Sequence, residues 1–124
     1  MAPRQISIVS IPVADPAAAR AFYVDVLGFE VLRDNPMGPD QRWIQLTPAG
    51  STASITLVTW FPQMPPGTVQ GLVLTTDAID ADHAALTIRG LAISDPADAP
   101  WGRYATFNDP DGNGWVLVQP AEGV

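Results

Sequence analysis

The stretch that decides the fold is Trp101 to Gln119, WGRYATFNDPDGNGWVLVQ. Arg103 to Asn108 mixes β-formers with small polar residues. Asp109-Pro-Asp-Gly-Asn-Gly is a dense turn signal, and Trp115 to Gln119 returns to β-formers. The pattern predicts a strand, a tight turn and a second strand. A weaker copy, RWIQLTPAGSTASITLV, runs from Arg42 to Val58. That echo points to a chain built twice from one unit.

Working outward, Ile6 to Val13 reads as a strand. Asp15 then offers an N-cap and Pro16 fits the first helical position. Ala19, Phe22, Tyr23, Val26 and Leu27 recur at helical spacing, so a helix is expected to about Leu27, stopped by Gly28. Phe29 to Arg33 is a short strand, Asn35 to Asp40 a loop with two prolines, Arg42 to Thr47 a strand and Ala53 to Trp60 another. The Pro-rich Phe61 to Gly67 reads as a linker. Val69 to Thr76 is a strand, and Asp77 is expected to cap a second helix that ends at Gly90. Leu91 to Ser94 is a strand, Asp95 to Pro100 a loop, and the opening stretch supplies the last two strands. Each half thus reads strand, helix, three strands, as modules over 4–61 and 68–121 within one domain, 1–124. Ile8-Val-Ser-Ile matches Gly71-Leu-Val-Leu, Gly28 matches Gly90, Arg42 matches Arg103, and Pro48 matches Pro110, all about half a chain apart.

Composition narrows the function. Hydrophobic residues make up 47% of the chain, enough for a core, and charged residues only 15%, so disorder is excluded. The net charge is −7 and every basic residue is Arg. An Asp-rich surface repels phosphate backbones and anionic membranes, so neither nucleic acid nor membrane is an expected partner. No apolar run is long enough to span a bilayer. The N-terminal MAPRQISIVSIPV lacks the pattern of a signal peptide, and a cytoplasmic location is the expectation. Without cysteine there is no disulfide, thiolate nucleophile or sulfur metal ligand.

Four stretches carry a resemblance: IPVADPAAARAFYVDVLGFEV at 11–31, PMGPDQRWIQLTPAG at 36–50, LTTDAIDADHAAL at 74–86 and PWGRYATFNDPDGNGWVLVQ at 100–119. Together they make the chain similar to the vicinal oxygen chelate superfamily of glyoxalases, bleomycin resistance proteins and extradiol dioxygenases. The resemblance implies an α+β fold of two paired βαβββ modules, forming a cup-shaped mixed sheet with helices outside. It also implies a homodimer, for which unpaired sheet edges give a physical reason. It does not fix a reaction.

Strand alternation sorts the residues. Ile44 and Leu46 oppose Trp43, Gln45 and Thr47. Ile55 and Leu57 oppose Ser54, Thr56, Val58 and Trp60. Ala105 and Phe107 oppose Tyr104, Thr106 and Asn108. A uniformly apolar face suits packing under a helix, whereas a face mixing aromatics with hydroxyls suits a small organic ligand. Trp43, Gln45, Thr56, Trp60, Tyr104 and Thr106 are expected to line the cup, with Trp101 at its rim. Gln45, Thr56 and Arg103 would fix the ligand's polar groups.

The superfamily's enzymes usually hold a divalent metal with His, Gln or Glu on the first and last strands of each half. Those positions fall here at Ile8, at Ser54 or Thr56, at Gly71 and at Val116, none of them a ligand. Neither a metal nor another cofactor is expected. The single histidine, His83, reads as a solvated residue of the second helix. Asp109, Asp111 and Asn113 match part of a calcium loop but lack its terminal Glu, and turn chemistry accounts for them. Tyr104, then Asp34, would be the candidates for metal-free acid–base chemistry. The leading expectation is a metal-free cup that binds a small aromatic or conjugated molecule, as bleomycin resistance proteins do. The alternatives are a lyase, isomerase or dioxygenase using a displaced metal site or none, and an interaction module.

Overall fold

The computed structural model describes residues 2–122. The chain divides into two compact units, and the division falls between Pro66 and Gly67, inside the Pro-rich stretch. Each unit is a four-stranded mixed sheet with one helix, and the strand order is the same in both.

In the first unit β1 is Ile8–Pro12, α1 Pro16–Ala21, β2 Glu30–Gly38, β3 Gln41–Thr47 and β4 Ser54–Val58. The sheet runs β1-β4-β3-β2, with β1 parallel to β4 and the other pairs antiparallel. Asp15 caps α1 as expected, accepting from the Ala17 and Ala18 amides, with Pro16 opening the helix. The continuation differs from regular α-helix. Phe22–Val26 forms a π-helical turn, in which the Leu27 amide bonds to the Phe22 carbonyl. Gly28 then ends the segment at φ 77°. Tyr23 is fully buried there, its ring 5.2 Å from that of Phe22 and 5.6 Å from that of Phe29.

Two expectations for this unit, a strand ending at Arg33 and a loop over Asn35 to Asp40, are corrected by one strand. Strand β2 does not end near Arg33; it runs on through Asn35, Pro36 and Met37 to Gly38 and pairs with β3 as far as Gln41. Proline is tolerated because β2 is an edge strand, where a missing N–H costs no ladder bond, and the register shifts between Pro36 and Gly38.

In the second unit β5 is Leu72–Thr75, α2 Ile79–Ile88, β6 Ala97–Ala99, β7 Gly102–Asn108 and β8 Gly114–Pro120, ordered β5-β8-β7-β6. Here β5 runs parallel to β8. The third strand is displaced from its expected place. Leu91 to Ser94 makes only an isolated bridge, Ile93 to Phe107, and the paired strand lies in the stretch read as a loop. Ser94 explains part of this, since its Oγ accepts from the Thr106 amide in place of a backbone carbonyl. Asp77 does not cap α2 either. Thr76 Oγ1 accepts from the Ala78 amide, and Gln119 Oε1 from the Ile79 amide, 2.9 Å away.

The turn between β7 and β8 is held from inside. Asp109 is 4% exposed and Asn113 not at all. Asp109 Oδ1 accepts from the Asp111 and Asn113 amides, and Oδ2 from Asn113 Nδ2 at 2.8 Å. Asn113 Oδ1 accepts in turn from the Val69 amide. Gly67 packs so closely here that a β-carbon on it would lie 2.1 Å from the Asp111 carbonyl oxygen. Replacing Asp109 by Ala removes the acceptor of three hydrogen bonds, two of them buried, and bonds to a charged group are worth about 1.5–3 kcal/mol each. Asp109→Ala is expected to lower the unfolding free energy by about 3 kcal/mol or more, read as a lower urea midpoint.

Candidate functional site

Each sheet has one face under its helix and one face away from it. In the first unit, Ile11, Ile44, Leu46, Ile55 and Leu57 are buried on the helix side. The same side carries Asp34, which is paired in register with Ile44 and ion-paired to Arg20 of α1. On the opposite side the register aligns Ser10 with Thr56, Thr56 with Gln45, and Gln45 with Arg33. Residues directly across a ladder share a face, so these four form one polar row across the sheet. Ser10 and Thr56 hydroxyls lie 3.3 Å apart. Gln45 Nε2 donates to Ser54 Oγ at 2.8 Å, and Gln45 Oε1 accepts from Trp43 Nε1 at 3.2 Å. Trp43 stacks on Trp60, with centroids 6.5 Å apart and planes 19° from parallel. Both indoles are half-buried. The first unit thus brings together Trp43, Gln45, Thr56 and Trp60, as alternation predicted.

In the second unit, Leu72, Leu74, Ala105, Phe107, Trp115 and Leu117 share the face towards α2. Tyr104 and Thr106 share the other face with Val116 and Val118. Trp101, in the β6–β7 turn, lies 5.0 Å from Tyr104 between ring centroids and is 46% exposed. Arg103 departs from the expected grouping. Alternation turns it to the helix side, where Asp80 holds its Nη2 and Asp98 its Nη1, each at 3.0 Å. That double engagement raises its pKa, and a guanidinium so committed has little left for a ligand.

Two hollows adjoin these elements. One of about 270 Å³ in the second unit is lined by Gln70, Gly71, Thr106, Asn108 and Val116 among others. Another of about 570 Å³ in the first unit lies beside Asp15, Pro36, Asp40, Arg42 and Thr59, and no predicted site residue lines it.

His83 is not the solvated residue that its helical position suggested. Its side chain is 20% exposed, and Nε2 lies 3.9 Å from Asp95 Oδ1 without a hydrogen bond. Asp95, beyond the end of α2, comes near it, which a helical wheel cannot show.

The glyoxalase/bleomycin resistance protein/dioxygenase superfamily model matches residues 5–117. The chain belongs to this superfamily. It is similar to TnmS3, an antibiotic binding protein from Streptomyces sp. CB03234, at 49% identity and a TM-score of 0.92, over 98% of this chain and 99% of that one. A glyoxalase/bleomycin resistance protein from the same organism is likewise 49% identical, with a TM-score of 0.84, over 93% of this chain and 100% of that one. A Bacillus subtilis (strain 168) relative, the uncharacterized protein YetH, is 30% identical over 94% of this chain and 98% of its own length.

The positions that the resemblance assigns to a metal carry Ile8, Ser54 or Thr56, Gly71 and Val116. Ile8 pairs in register with Ser54, and Thr56 stands across from Ser10. Val116 pairs with Val73 and Thr106. An aliphatic pair, a hydroxyl and a glycine do not suit a divalent cation, which needs carboxylate or imidazole donors. Among the described residues no group of three His, Cys, Asp or Glu stands close enough to hold one elsewhere.

Asp34, the second candidate for acid–base chemistry, is turned away from the polar row. Arg42 forks onto it, Nε to Oδ1 at 2.6 Å and Nη2 to Oδ2 at 2.7 Å. Arg20 Nε lies 3.0 Å from Oδ2 but off the hydrogen-bond direction. The bonds from Arg42, then the charges of both arginines, hold its pKa below 3.8, against the opposing cost of burial. A lowered carboxylate pKa contributes stability above the unfolded value, and the contribution is lost as pH falls through the folded one. Asp34→Asn is therefore expected to be less stable than wild type at pH 7. The gap should close as pH drops below 3.8, followed by thermal denaturation across pH 2 to 7.

Proposed function

We propose that this protein binds a small planar aromatic or conjugated organic molecule without a metal. The observation that carries this reading is the Trp43–Trp60 stack beside Gln45, on the sheet face away from the helix. Indole faces offer large apolar area with a preferred stacking geometry, worth about 0.5–1.5 kcal/mol per pair beyond burial. Gln45 is held by hydrogen bonds to Trp43 and Ser54, and the buried Thr56 by one to Ser10, so the residues beneath a ligand are already organised and cost little to order. The Trp101–Tyr104 pair gives the second unit a comparable aromatic surface. The likeness to TnmS3 supports an antibiotic-like ligand. The aliphatic and glycine residues at the metal positions support binding over metal-dependent chemistry.

A homodimer belongs to the same proposal. Strand β2 is an edge strand, exposed along most of its length, and carries Val31, Leu32 and Met37 in the open. Such an edge invites a second copy. The lack of cysteine is in keeping with a reducing, cytoplasmic setting.

Titration with a library of planar antibiotics and phenols is expected to quench intrinsic tryptophan fluorescence for at least one compound. Trp43→Ala and Trp60→Ala should each weaken that ligand about 3- to 10-fold. Trp115→Phe, in the second unit's core against Phe107, should leave its affinity unchanged. No quenching by any compound would contradict the proposal. Light scattering during gel filtration should give twice the chain mass.

A further inference from the structure

The polar row on the first unit's face away from α1 ends in a charge. Arg33 stands directly across the ladder from Gln45, and its neighbour Asn35 across from Trp43. The diagonal from Arg33 to Trp43 spans roughly 7–8 Å in such a ladder, within reach of a long side chain. Arg33 is exposed and, among the described residues, makes no side-chain hydrogen bond, ion pair or ring contact. The arginines with acidic partners are differently placed. Asp34 takes up Arg20 and Arg42 on the helix side, and Asp80 and Asp98 take up Arg103. In a chain of net charge −7, Arg33 is thus a guanidinium without a carboxylate partner on the face that carries the aromatic stack.

From this placement we infer that Arg33 selects the ligand's charge: the site prefers a planar aromatic anion, a carboxylate or phenolate, over its neutral counterpart. The inference rests on the Trp43–Trp60 face being the ligand face. A guanidinium matches a carboxylate in a two-point fork and keeps its charge at any physiological pH. The protein's overall negative charge works against an anion at long range. At 0.15 M salt the screening length is about 8 Å, so the nearby cation outweighs the distant acids. The bulge between Val31 and Arg33 sets this register, and with it the face on which Arg33 stands.

The test uses a pair of probes alike in shape, 2-naphthoate and 2-naphthamide, added to the full chain labelled with nitrogen-15. Binding is followed through the indole N–H signals of Trp43 and Trp60. Naphthoate is expected to bind about 3- to 10-fold more tightly than naphthamide at 0.15 M salt. Arg33→Gln should remove that preference while leaving naphthamide affinity unchanged, and Arg33→Lys should keep part of it. Equal affinities in the wild type, or a preference that survives Arg33→Gln, would overturn the charge assignment and leave the aromatic face standing. If neither probe moves the indole signals, the ligand face itself is wrong and this inference falls with it.

Discussion

Successive side chains of a β-strand point to opposite faces, and the account of this protein depends on that constraint. In the first unit the rule keeps two populations apart. Ile11, Ile44, Leu46, Ile55 and Leu57 bury together on the side where α1 packs. Ser10, Thr56, Gln45 and Arg33 stand on the other side, because the β1–β4, β4–β3 and β3–β2 ladders align them. A slip of one residue in β3 would move Trp43 and Gln45 under the helix and expose Ile44 and Leu46. The apolar set is what fixes the register, and the polar and aromatic set follows. The candidate site is a by-product of how the core is packed.

The second unit obeys the same constraint with different content. Its helix side holds Ala105, Phe107, Trp115 and Leu117, and its other side Tyr104, Thr106 and Val116. The Asp109–Asn113 turn sets how β8 returns against β7, so it decides which residue of β8 faces which of β7. That turn holds the fold with residues other than Val116. The turn's side-chain hydrogen bonds run among Asp109, Asp111 and Asn113 and out to the Val69 amide, and none of them involves the Val116 side chain. Architecture and chemistry are held by different residues a few positions apart.

Much of the fold was legible in the sequence because period-two patterns and turn residues act locally. The alternation in Arg42 to Thr47 and in Arg103 to Asn108 sorted Ile44 from Trp43 and Phe107 from Tyr104 without any knowledge of partners. What escaped depends on partners. The extension of β2 across Pro36 is decided by β3, which offers it a ladder on one edge only. Thr76 and Gln119, rather than Asp77, serve the start of α2, because Gln119 reaches it from a strand 40 residues away in sequence. The face of Arg33 was not legible either, because alternation puts it with Val31, and only the bulge between the two turns it to the side of Gln45. Arg103 could have been placed correctly, because alternation puts it with Ala105.

The central claim is that the ligand face is the side of the first sheet away from α1. It is tested most directly by a crystal structure of the protein soaked with a planar aromatic compound that quenches its fluorescence. The account predicts ligand density against the Trp43 and Trp60 rings, with a polar contact to Gln45. Density lodged instead in the hollow beside Asp15, Pro36 and Arg42, with the two indoles bare, would contradict it.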